Sequence, residues 1–62
     1  MSYILKHEKA PIYIRFVSDY DINGGQVIKK NEATRFPTEA AAICALEDSD
    51  HIENFYPVYV KA

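Results

Sequence analysis

The sequence predicts an α+β fold: a small antiparallel sheet of three to four strands with one helix packed on it, in the order β-β-β-α-β. Three observations predict it. Residues 11–18, PIYIRFVS, alternate apolar side chains in the manner of a strand. Residues 38–48, TEAAAICALED, form the only run with helical character. Residues 55–61, FYPVYVK, return to β-branched and aromatic residues. With so few elements, one sheet crossed by one helix is the arrangement that buries an apolar face of each.

Residues 2–7, SYILKH, mix β-branched, aromatic and polar side chains and read as the first strand. The stretch from Lys6 to Pro11 reads as a turn, because Pro11 biases Ala10 away from helical backbone. A hairpin therefore joins the first two strands. In the second strand Ile12, Ile14 and Phe16 share one face, and Tyr13, Arg15 and Val17 share the other. Pro11 is tolerable there because the first residue of a strand need not donate to the ladder.

Residues 19–25, DYDINGG, form the main loop, with Asn23-Gly24 as its turn signal. Asp19, Asp21 and Asn23 alternate as in an EF-hand calcium loop, but Lys30 stands where the closing glutamate belongs and no helix flanks the loop. A plain turn is expected, with no metal. Residues 26–36 read as a third extended segment. It is interrupted at Lys29, Lys30 and Asn31, and it delivers Phe36 to the core. Thr38 is the expected N-cap of the helix, and Glu39 suits its first turn. Glu47, Asp48 and Asp50 sit near its C-terminus, where the dipole disfavours them, so that end is expected to fray. In the last strand Tyr56, Val58 and Val60 lie on one face, and Phe55, Pro57 and Tyr59 on the other. Pro57 indicates an edge position or a bulge. The expected core comprises Leu5, Ile12, Ile14, Phe16, Ile28, Phe36, Ala40, Ile43, Cys44, Val58 and Val60.

At 62 residues the chain makes one domain spanning 1–62. Its core supplies only about 3–5 kcal/mol, so a further source of stability is expected. Cys44 is the only cysteine. No internal disulfide is possible, and its apolar setting predicts a buried, inert thiol. The lack of a cysteine framework favours a reducing compartment, the cytoplasm. His7 and His51 lie too far apart to make a metal-ligand pair. A net charge of −2 and an isoelectric point near 5.5 argue against nucleic acid as a partner. No apolar run approaches the ~20 residues of a membrane span.

No catalytic constellation stands out. Nucleophilic catalysis needs a nucleophile, an adjacent base and a group that orients the base. Ser2, Ser18 and Ser49 lack such a context. His51, among Asp48, Asp50 and Glu53, is the best acid/base candidate and reads more simply as a solvated histidine. Gly24-Gly25 lacks the lysine and helix of a phosphate loop. The expectation is a protein that is not an enzyme and holds no cofactor.

What remains is surplus apolar surface. Tyr13, Arg15, Val17, Phe55 and Tyr59 fall opposite the faces assigned to the core, and one helix covers only one face of a sheet. Exposed aromatic clusters mark interaction surfaces. The helix is also apolar nearly all round from Ala40 to Leu46, which reads either as alanine, a good helix former that costs little when exposed, or as a second helix face buried against a partner. These features predict a homodimer of two-fold symmetry with those five residues as the candidate interface.

The run Ala33-Thr-Arg-Phe36, the helix start Thr38-Glu-Ala-Ala-Ala-Ile43 and the closing Pro57-Val-Tyr-Val60 follow a strand hairpin. In that order the pattern resembles small phage and prophage accessory proteins, among them inhibitors of bacterial defence systems of the anti-CRISPR and anti-Hachiman type. The resemblance implies a protein acting in the host cytoplasm by occupying a surface of a larger host protein. That target would be a defence or nucleic-acid-handling protein. The alternatives are a nucleotide or small-molecule sponge using Tyr13, Arg15 and Tyr59 at a subunit interface, a structural phage protein, and a nucleic-acid binder using Lys29, Lys30, Arg35 and the tyrosines.

Overall fold

The computed structural model describes residues 2–18, 20–49 and 53–61. One helix packs on a four-stranded antiparallel sheet, as the sequence predicts. The strands are β1 (Ser2–His7), β2 (Tyr13–Arg15), β3 (Gly25–Val27) and β4 (Phe55–Val60), in the spatial order β3-β2-β1-β4. The helix α1 spans Glu39–Glu47. A single 3-10 turn at Lys30–Glu32 interrupts the third segment at the lysines.

The β1–β2 turn is closed by the histidine before it. His7 Nδ1 accepts hydrogen bonds from the backbone N–H groups of Lys9 and Ala10, at 3.1 and 3.2 Å. The His7 N–H donates to the Ile12 carbonyl at 2.8 Å. Beyond this point β1 and β2 diverge, and residues 34–36 run between them. The Thr34 N–H donates to the Ile14 carbonyl, while Tyr3 and Phe36 exchange both backbone hydrogen bonds, at 2.9 and 2.8 Å. Thr34 Oγ1 also accepts from the Phe16 N–H at 2.7 Å. Backbone groups of the separated strands, otherwise unpaired, thus gain partners from this inserted segment.

The same bonds fix which way β4 faces. Tyr3 and His7 direct their backbone groups toward β2 and the inserted segment. By alternation Ser2, Ile4 and Lys6 direct theirs toward β4. Their partners Val60, Val58 and Tyr56 face inward. The Pro57 nitrogen therefore points to the outer edge, where no ladder bond is lost. Of the two placements its sequence allows, an edge position or a bulge, the proline takes the edge.

Both faces of the sheet are packed. Leu5, Ile14 and Phe55 lie beneath Ala42 and Leu46 of α1, with Tyr3, Ile12, Phe16 and Phe36 around them. Ile4, Ala33 and Val60 make a second cluster on the opposite face, supported by Tyr13 and Val58. The faces of β4 are thus the reverse of the sequence assignment. The pairings Leu5–Pro57 and His7–Phe55 bring Phe55 to the helix side, where it is 5% exposed. Val58 and Val60 pack instead against Ala33. Burying one Leu or Ile side chain is worth roughly 1.5–3 kcal/mol, so Ile4, Leu5 and Ile14, all fully buried, anchor the two layers.

Four other core assignments are corrected. Ile28 lies exposed just past the short β3. Ala40, Ile43 and Cys44 lie on the outer side of α1, because Ala42 and Leu46 define its buried stripe. The thiol of Cys44 is exposed and not enclosed. Thr38 caps the helix as expected, accepting from the Ala41 N–H at 3.1 Å. At the other end Ser49 is buried and its hydroxyl donates to the Leu46 carbonyl at 2.8 Å. This contact ties down a terminus whose charge pattern alone predicts fraying.

Candidate binding surface

The loop between β2 and β3 is organised by one carboxylate. Asp21 Oδ2 accepts from the Val17 N–H at 3.1 Å, and Oδ1 accepts from the Gly24 N–H at 3.0 Å. The Asp21 N–H donates back to the Ser18 carbonyl at 3.1 Å. Gly24 adopts φ +71°, a left-handed conformation natural for glycine. The plain-turn reading of Asp21 therefore has a structural basis in backbone bonds made by both of its oxygens. Asp19, the other acid of that reading, lies outside the described residues. No group of three or more metal-binding side chains occurs among the described residues.

This well-tied loop presents its apolar side chains outward. Val17, Tyr20 and Ile22 are 76%, 92% and 61% exposed. Beside them lies an open groove of about 500 Å³ on the helix side of the sheet. Phe16 and Phe36 form part of its lining and meet edge to face, with ring centroids 6.1 Å apart. Val17 and Ile22 border it from the loop, and Ala45 and Asp48 from the helix. Ser18, Asp21 and Thr34 supply the remaining polar lining. Thr34 and Phe36 both contribute, whereas Arg35 between them does not, as alternation in an extended segment requires.

The five residues of the sequence-derived interface do not form one patch. Val17 belongs to the loop just described. Arg15 is exposed and Tyr13 half-buried on the opposite face, where Tyr13 packs against Ile4, Ala33 and Val60. Tyr59 is half-exposed and stacks edge to face on Tyr3 at 5.6 Å. Phe55 is a core residue and presents no contact surface. Tyr20 and Ile22 were missed because Asp, Asn and Gly around them signal a turn. The available signal was the pair of large apolar residues inside that turn. His51, the acid/base candidate, lies outside the described residues. Among the described residues every buried side-chain nitrogen or oxygen has a hydrogen-bond partner.

Comparison with protein-family models, curated proteins and solved structures gave no match.

Proposed function

We propose that this chain is a non-catalytic binding protein whose contact surface is the β2–β3 loop and the groove beside it. The observation that supports this reading is Val17, Tyr20 and Ile22 held in solvent by a loop that Asp21 fixes through three backbone contacts. Scattered exposed apolar residues are ordinary, but three large ones on a single loop mark an interaction site. The backbone bonds of Asp21 also lower the conformational entropy lost on binding. The resemblance to small phage accessory proteins supplies the class of partner: a larger bacterial protein of defence or nucleic-acid handling, blocked by surface contact. Self-association into a dimer belongs to the same proposal, with the β2–β3 loop as its apolar surface. No helix among the described residues is long and apolar enough to cross a membrane.

A photo-crosslinking residue at Tyr20, compared with one at the exposed Lys9, tests the reading in bacterial cells. The expected result is one dominant protein adduct from position 20 and none from position 9. The adduct is lost in the double variant Val17→Ser, Ile22→Ser while the melting temperature holds. An adduct at twice the chain mass identifies a second copy as the partner. Equal labelling from both positions, or none from position 20, would overturn the reading.

A further inference from the structure

The chemistry of the groove specifies more than its apolar lining. Its charged lining residues, Asp21 and Asp48, are both acidic. Asp48 is the C-cap of α1, and the last turn of that helix contains no basic residue. The carbonyl end of a helix carries partial negative charge, so stability favours a cation at this position and opposes an acid. Asp48 therefore adds to the negative potential at the groove at a cost to the helix it ends. The apolar part, Phe16, Val17, Ile22, Phe36 and Ala45, lines the same groove. A purely acidic guest is repelled there, and a purely polar one leaves the aromatic rings unused.

We propose that the groove receives a basic, apolar segment of a partner protein: a large aliphatic or aromatic side chain set against the Phe16–Phe36 pair, flanked by lysine or arginine directed at Asp48. The inference rests on the reading of the loop as a contact surface and adds the chemistry of what it contacts. Its volume of about 500 Å³ falls in the range that accommodates such side chains. Asp48 carries the cation. Asp21 spends both of its oxygens on the loop backbone and contributes field, not a dedicated contact.

Two capped peptides probe the groove in the full chain. One alternates leucine and phenylalanine with arginine and lysine, and the other replaces each basic residue with glutamate. Amide chemical shifts are followed during titration. The expected result is that the basic peptide moves resonances of residues 16–22, 34–36 and 45–48, with affinity that falls as salt is added. Asp48→Asn is expected to weaken it about ten-fold, the scale of one lost charge pair at an interface. The same substitution holds or raises the melting temperature, because it removes an unfavourable charge from the helix end. An equal response to both peptides, shifts confined to other regions, no shifts, or unchanged affinity in Asp48→Asn each overturn the proposal. Were any of these found while Tyr20 still crosslinks one partner, the loop would remain the contact surface and only the assignment of the groove would fall.

Discussion

Gly24 lies so close to Ile14 that a Cβ on the glycine would come within 2.7 Å of Ile14 Cγ2. The loop that carries Val17, Tyr20 and Ile22 is thereby set against the core without an intervening side chain. Gly24 also holds φ +71°, which costs an L-residue about 1–2 kcal/mol. Overpacking adds about 1–3 kcal/mol more. Gly24→Ala is therefore expected to destabilise the fold by roughly 2–5 kcal/mol, seen as a lower urea midpoint. Gly25→Ala meets nothing within 4 Å and is expected to leave the midpoint nearly unchanged. Equal effects at the two positions would contradict this account of the loop.

Thr34 joins the inserted segment to β2 through its hydroxyl. It accepts from the Phe16 N–H at 2.7 Å, and its contact with the Phe16 carbonyl is longer, at 3.4 Å. Thr34→Val keeps the shape and removes the acceptor, at an expected cost of about 1–3 kcal/mol for the stranded donor. Hydrogen exchange at the Phe16 amide should accelerate more than global destabilisation explains. A uniform change across the sheet would mean that the hydroxyl has no local role.

Phe55 and Tyr59 separate the two readings of β4. Phe55 packs with Leu5, Ala42 and Leu46, so Phe55→Ala is expected to cost about 3–5 kcal/mol and unfold most of the population. Tyr59 is half-exposed and its ring contact with Tyr3 is worth about 0.5–1.5 kcal/mol, so Tyr59→Ala should remain folded. Circular dichroism melts of the two variants give the comparison. A milder effect at Phe55 than at Tyr59 would return Phe55 to the surface.

Pro57 faces the outer edge of β4. Pro57→Thr gives that edge a central N–H without removing any bond to β1. Stability is expected to change by less than about 1 kcal/mol. Self-association should rise, because an edge with a restored donor accepts a further strand. Light scattering across protein concentration measures it. A strong loss of stability with no gain in mass would show that the proline acts inside the ladder.

Local patterning made much of the fold legible. Alternation placed Ile12, Ile14 and Phe16 on one face, Thr38 announced the start of the helix, and the lysines at 29 and 30 marked the break in the third segment. These signals depend on near neighbours in the chain. The surface was less legible. Asn23-Gly24 identified a turn but carried no information about whether Tyr20 and Ile22 would fold inward.

The sequence by itself determined the order and type of the elements, because strand alternation, capping and turn formation are decided within a few residues. Only the tertiary structure decided which face of β4 meets the helix, since that depends on pairing Phe55 with His7 across most of the chain. A second long-range pairing, Tyr3 with Phe36, inserts residues 34–36 between β1 and β2 and so gives Ala33 a cluster to cover on the second face. Burial is settled by what arrives from far along the chain: Ala33 covers Ile4 and Val60, and among the described residues Val17, Tyr20 and Ile22 stay exposed.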